Sequence, residues 1–257
     1  MVQPGLAVLE ATLRRDRAVV AAGLLGLALL AWVYVAGIAA AMPSGMMPMP
    51  GMAAGGDPGL AWLVGMWAVM MVAMMLPSAA PTILLFASVS RRRRLLGQPA
   101  IPVLVFTLGY LLVWTVYAVV AASAQWKLHH MALLSPAMKS ASPLLAGGLL
   151  VAAGVYQWLP VKGACLSQCR SPLGFFAAEW REGTRGALLM GMRHGSFCVG
   201  CCWLLMALLF VAGVMNLLWV ATIAGFVLLE KLVPGGASLG RAAGVFLILW
   251  GVWLLID

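Results

Sequence analysis

The sequence predicts an all-α protein, a polytopic transmembrane bundle of about seven helices plus one interfacial amphipathic helix. Of its 257 residues, 64% are hydrophobic and only 9% are charged, whereas a soluble domain has about 25% charged residues. The mean hydropathy of +1.03 points the same way. A soluble fold of this length has too little interior for so much apolar surface. We therefore expect residues 1–257 to form a single integral membrane domain.

Seven apolar segments account for the predicted spanning helices. The first follows three arginines, but it is too long for the apolar region of a signal peptide, so we expect it to be retained. Pro77 and Pro81 are expected to break or kink the second. The fourth, sixth and seventh are at the short end of the usual range of about 17 to 25 residues. The segments are residues 18–41, 60–88, 101–125, 143–160, 194–215, 217–233 and 240–256.

The distribution of Lys and Arg predicts the orientation of the chain in a bilayer. With the N-terminus inside and one crossing at each segment, only Lys127 and Lys139 of the 16 Lys and Arg residues lie outside. The positive-inside rule then favours an inside (cytoplasmic) N-terminus and an outside C-terminus. The same rule explains the net charge of +9 without a nucleic-acid partner, because the basic residues are few and separate apolar segments.

Two connections differ from the apolar segments. Residues 42–59 are rich in Met, Pro and Gly and are expected outside. Within the largest inside connection, residues 161–193, the aromatic residues Phe175, Phe176 and Trp180 recur at helical spacing among charged residues. This pattern predicts an amphipathic helix that lies along the inner leaflet and is broken near Gly183.

The stretch RHGSFCVGCCW, residues 193–203, places a histidine and three cysteines beside an apolar run. On a helix, His194 and Cys198 are four apart, and Cys201 and Cys202 follow Cys198 by three and four positions, so their side chains share one face. Imidazole and thiolate are ligands for Cu(I) or Zn(II). A single buried cysteine is usually only a small apolar residue. Four such groups within nine positions instead favour a metal site, because ionisable groups inside membranes are usually functional.

A methionine row in the second segment strengthens the case for a soft metal ion. Met66, Met70 and Met74 recur every four residues, with Met71 and Met75 in a parallel row. Thioether sulfur selects Cu(I) over hard cations, although methionine also serves as a flexible apolar filler. We expect the Met66 row to face the bundle interior, with the second helix beside the fifth. The row follows an outside segment that contains Met42, Met46, Met47, Met49 and Met52.

A second cysteine pair lies in the inside connection. Cys165 and Cys169 form a CxxxC pattern rather than the CxxC of thioredoxin-like redox sites. On a helix they share a face, so they either complete the metal site, receive an ion from it, or are structural cysteines. Farther along, Glu230 and Lys231 are most simply a boundary ion pair.

Three stretches together resemble a known family. WAVMMVAMMLPSAAP, the CxxxC followed by RSPLGFF, and MRHGSFCVGCCWLLMALLFVAGVMNLLW are similar to bacterial integral membrane proteins described as predicted metal-binding proteins with a domain of unknown function. The resemblance covers about residues 60–235. It implies a multi-helix membrane protein whose suspected metal site contains His194, Cys198, Cys201 and Cys202. The choice of copper rests on ligand softness and not on the resemblance.

The sequence supports one principal function and two alternatives. The principal hypothesis is a membrane protein that binds, transfers or transports Cu(I), with zinc as the alternative metal and a metallochaperone or a membrane complex as a partner. The alternatives are a membrane thiol–disulfide oxidoreductase, which ranks lower because no cysteine faces outside, and a structural accessory subunit of a larger complex. We assign no catalytic residue. A hydrolase is disfavoured because the membrane segments lack paired carboxylates among only seven Asp and Glu residues.

Overall fold

The computed structural model describes residues 4–41, 59–97, 101–133, 140 and 142–257. The described chain is helical, which confirms the predicted all-α class. Several helices begin at a proline, whose fixed φ and missing N–H suit the first helical position. The helices are α1 (Pro4–Ala41), α2 (Leu60–Leu95), α3 (Val103–His130), α4 (Pro143–Tyr156), α5 (Pro160–Arg170), α6 (Pro172–Glu179), α7 (Gly183–Ala207), α8 (Leu209–Ala212), α9 (Leu217–Leu232) and α10 (Gly236–Ile256).

Every predicted apolar segment is helical, but fewer than seven can cross a bilayer on their own. Helices α4 and α9 contain 14 and 16 residues, fewer than the about 17 that a spanning helix needs. Together, α4 and α5 are long and apolar enough, with a bend of 66° between them. Among the described residues, length and composition thus give five candidate spans, or six with this bent pair. The five are residues 17–41, 60–95, 103–130, 183–212 and 236–256.

The inside connection folds into α5 and α6, and the aromatic stretch for which an amphipathic helix was predicted forms α6. Ser171 separates them, and α6 ends before Gly183, whose φ of +75° marks the predicted break. Phe175 and Phe176 are buried in the protein. Their rings contact those of other helices, including Phe106, since a protein core was available to cover them.

The predicted break in α2 is also absent, because the helix continues through Pro77 and Pro81. A proline removes a helical hydrogen bond, and polar groups gather on this turn. Ser78 Oγ donates to Met75 O at 2.9 Å, and Tyr110 Oη of α3 donates to the same oxygen at 3.1 Å. The proline-containing turn is therefore linked directly to α3.

Glycines bring α3 and α7 into backbone contact. A Cβ atom at Gly191 would collide with the carbonyl oxygen of Phe106, and one at Gly109 would collide with that of Leu188. Small residues allow such close helix pairs, which gain dispersion energy over a long interface. Helix α3 packs along α2 as well. Side chains of α3 therefore lie between α2 and α7.

Helices α4 and α10 also approach each other closely at glycines. A Cβ at Gly154 would lie 2.6 Å from Gly244 O, and one at Gly147 would lie 2.8 Å from Gly251 O. The pair places the first turn of α10 against the end of α9.

Gly191→Ala is expected to destabilise the protein by about 2 kcal/mol or more, because the new methyl group forces two backbones apart. Gly65→Ala on α2 is the matched control, since a Cβ there meets no atom within 4 Å. The control is expected to be neutral or slightly stabilising. Melting temperatures of both variants in one detergent test this, and equal values would contradict the packing described here.

Candidate metal centre

Cys198 of α7 is the centre of a buried polar cluster. Its side chain is 1% exposed. Its Sγ lies 3.1 Å from Tyr110 Oη of α3 and accepts a hydrogen bond from Lys231 Nζ of α9 at 2.9 Å. One sulfur therefore connects three helices, in a region where an unpaired polar group would be costly.

The other cysteines surround this sulfur. Cys201 and Cys202 are buried, and their thiols donate to Cys198 O at 3.1 and 3.0 Å. Cys169 of α5 is buried, and its thiol interacts with those of Cys198 and Cys201. Cys165 is half-buried and lies against Gly200, where a Cβ would be 2.7 Å from its Sγ. The fold thus brings both predicted cysteine groups together, and all five thiols are free.

The predicted methionine row is buried as expected, and its neighbouring row touches the cysteines. Met66, Met70 and Met74 are at most 2% exposed. The contact with α7 comes from Met75, whose Sδ lies 3.9 Å from Cys202 Sγ. The prediction that the second helix packs beside the fifth is wrong: α2 touches α7 at this contact, but α3 is the main neighbour of α7 and packs along α2 as well. The outer methionines, Met42, Met46, Met47, Met49 and Met52, lie outside the described residues.

His194 lies one turn before Cys198 and is 2% exposed. Its ring lies among aromatic rings, with centroids 5.2 Å from Phe175 and 5.9 Å from Tyr110. Its Nδ1 is buried and has no hydrogen-bond partner among the described residues. Such an unpaired nitrogen is costly unless it serves a ligand.

The cysteines and the histidine do not form a ready coordination shell. Among the described residues, no group of three or more His, Cys, Asp or Glu side chains is arranged to hold a metal ion. The thiols of Cys201 and Cys202 point back to the backbone of their own helix. A site here therefore needs either movement of these side chains or a thioether ligand.

Lys231 belongs to the buried cluster around Cys198, and the sequence reading missed it. The expected Glu230–Lys231 boundary pair is wrong, because the two residues have separate partners. Lys231 is 5% exposed, and its Nζ donates to Ser78 Oγ at 3.0 Å as well as to Cys198. Consecutive side chains point in different directions on a helix, which is why Glu230 and Lys231 have different partners. The sequence signal for Lys231 was a lysine at the end of an apolar helix, because ionisable groups in such segments are usually functional.

Glu230 belongs to a second buried cluster, beside the first. Lys162 Nζ lies 2.5 Å from Glu230 Oε1 and also donates to Gln157. Arg170 Nη1 donates to Glu230 O at 2.5 Å. Gly240 of α10 makes room for this cluster, because a Cβ there would collide with Glu230 Oε1.

The comparison with known families decides the general assignment. The family model PpoB2, described as copper chaperone, matches residues 64–254. The chain belongs to the PpoB2 copper chaperone family. The matched region includes both cysteine groups, the methionine rows and Lys231, and it extends past the predicted family-like core of residues 60–235. The chain has no match among curated proteins or solved structures. Membership of the PpoB2 family supports the copper link that ligand softness predicted.

Proposed function

We propose that this PpoB2-family protein is a membrane-embedded copper chaperone that binds one Cu(I) ion at Cys198, Cys202 and Met75 and passes it to a partner. The observation that carries the proposal is the contact between Cys202 and Met75. These residues are 127 positions apart, yet their sulfurs lie 3.9 Å from each other. Two thiolates and a thioether are soft ligands that suit Cu(I). Met75 supplies the sulfur that a site built only from cysteine and histidine lacks.

The other predicted ligands have supporting roles in this proposal. The Met66, Met70 and Met74 row extends along α2 away from Met75 and forms a buried route for a soft cation. His194, Cys169 and Cys201 lie near enough to exchange with the bound ion. Cys165 is the most exposed of the five cysteines. It is placed to hand copper to a metallochaperone or to a membrane-complex partner.

The proposed location is a bacterial cytoplasmic membrane, with the N-terminus inside and the C-terminus outside. The Lys/Arg distribution over seven crossings supports it, and this topology requires the short helices α4 and α9 to cross as well. Reporter fusions at Gly97 and Asp257 are expected to give signals from opposite sides. Signals from the same side would mean that the chain crosses the membrane one time fewer than proposed. The short helix α9 would then be the first segment to be reassigned as non-spanning.

Met75→Leu is expected to weaken Cu(I) binding by about tenfold, because leucine keeps the volume but removes the thioether. The measurement is competition of the purified protein with a chromophoric Cu(I) chelator under reducing conditions. Met66→Leu is the matched control, since Met66 is equally buried but about 13 Å away along α2. It should slow copper loading and leave the equilibrium affinity unchanged. Equal affinity losses in both variants would contradict a site at Met75.

The thiol cluster also supports a second candidate, the thiol–disulfide oxidoreductase. The thiols of Cys169, Cys198 and Cys201 interact with one another, which is the proximity that a disulfide between neighbours requires. Redox exchange, however, needs an accessible thiolate, and these three are buried. A mixed disulfide trapped with a partner in a strain that lacks added copper would favour this candidate.

A further inference from the structure

We infer that the Lys231 ammonium group selects the charge of the bound ion and makes this a site for monovalent cations. The inference rests on the proposed function and adds a specificity-determining residue to it. Lys231 Nζ is 2.9 Å from Cys198 Sγ and interacts electrostatically with the thiols of Cys169, Cys201 and Cys202. The positive charge of Lys231 therefore lies among the cysteine sulfurs.

In the described part of the chain, no carboxylate forms a direct ion pair with Lys231. Its hydrogen bonds go to Ser78 Oγ and Cys198 Sγ. The neighbouring carboxylate of Glu230 is directed to Lys162 instead. A buried charge without a direct ion-pair partner is unfavourable, so a negatively charged metal–thiolate group at Cys198 and Cys202 would stabilise this ammonium group.

Charge balance then distinguishes the metals. Metal binding requires thiolates, so the Sγ–H bonds of Cys198 and Cys202 break and their protons leave to solvent. Two thiolates and Cu(I) carry a net charge of −1, which the ammonium group brings to zero. Two thiolates and Zn(II) are neutral, so with Lys231 the same site would hold a buried charge of +1.

Geometry acts in the same direction as charge. Structural zinc sites take four tetrahedral ligands. The described residues offer no group of three or more His, Cys, Asp or Glu side chains arranged around one point. A third thiolate, from Cys169 or Cys201, would therefore offset the charge of Zn(II) only after these side chains rearrange.

The test compares Lys231→Gln with Lys231→Arg, because both keep hydrogen-bond donors and only glutamine removes the charge. Affinities are measured for Cu(I), for Ag(I) as a monovalent ion that does not change oxidation state, and for Zn(II). A unit charge about 5 Å from the metal, at an effective dielectric constant of about 20, changes affinity on the order of a hundredfold. We expect Lys231→Gln to bind Cu(I) and Ag(I) at least about tenfold more weakly and to bind Zn(II) no more weakly than wild type. Lys231→Arg should keep the wild-type preference.

Two controls keep the outcomes separate. Lys127→Met removes an exposed positive charge on α3 and should leave the preference unchanged. Lys231→Met is a second uncharged variant, for use if the glutamine variant melts well below wild type. If wild-type protein binds no Cu(I), the proposed function itself fails. If wild type binds Cu(I) and an uncharged Lys231 variant keeps the same ratio of Cu(I) to Zn(II) affinity, only the role of Lys231 is overturned.

Discussion

Cys198→Ser is expected to lower the Cu(I) affinity of this protein by at least about 100-fold, because loss of a supporting group alone typically costs about 10–100-fold. Serine keeps the size of the side chain and its capacity to accept from Lys231, but its oxygen is a hard ligand. The measurement is chelator competition together with metal analysis of protein purified under reducing conditions. The variant should retain less than one tenth of the copper bound by wild type at matched free Cu(I).

Cys165→Ser is the matched control for this experiment. Cys165 is half-buried at the edge of the cluster, so its loss should leave the equilibrium affinity within about threefold of wild type. It is expected to slow transfer of copper to an acceptor instead. If Cys198→Ser binds copper as well as Cys165→Ser does, the site is not at Cys198. The cluster would then be a packing feature of small apolar residues.

Lys162→Met is expected to destabilise the protein by about 3–5 kcal/mol, the usual cost of removing one partner from a buried ion pair. Lys162 and Glu230 are 2% and 1% exposed, and Glu230 Oε2 already has no partner among the described residues. Without Lys162 the carboxylate is left in an apolar interior. The melting temperature and the denaturant midpoint in one detergent measure the loss.

The double variant Lys162→Met/Glu230→Gln separates charge from packing. Removing both charges should recover much of the loss, because replacing a whole buried pair is often neutral. Lys127→Met serves as the control for removal of a positive charge at an exposed site, with an expected change within about 0.5 kcal/mol. If Lys162→Met is as stable as this control, the pair of Lys162 and Glu230 contributes little to the stability of the protein.

The two clusters meet at the end of α9, and this explains why a short helix matters to the site. Glu230 faces the α4–α5 side through Lys162, while Lys231 faces α7 through Cys198. The Glu230 cluster therefore anchors the turn that presents Lys231 to the sulfurs. A loss of stability at one cluster is expected to alter metal binding at the other.

Much of the fold could be predicted from the sequence, because apolar length and helical spacing are local properties. Each of the seven apolar segments is a helix in the structure, and the shared face of Cys198, Cys201 and Cys202 follows from spacing alone. The burial of Met66, Met70 and Met74 followed from the same periodicity. The copper link also came from composition, since thiol and thioether side chains favour soft ions.

Helix ends and buried partners were less predictable. Phe175 and Phe176 have the pattern of a surface helix, and only the presence of α3 beside them made burial in the protein possible. The length of α4 depended on where the chain turns at Pro160. Segment length alone therefore predicted more spans than the described helices support by length and composition.

The sequence by itself determined the helical class, the shared face of the cysteines and the link to copper. Only the tertiary structure decided that Met75 rather than Met66, Met70 or Met74 touches a cysteine, and that Lys231 rather than Lys162 reaches Cys198. The physical reason is that helical periodicity fixes which residues share a face but not which helix that face meets. The partner of each face depends on close backbone approach at glycines such as Gly191 and Gly109, and so on contacts between distant parts of the chain.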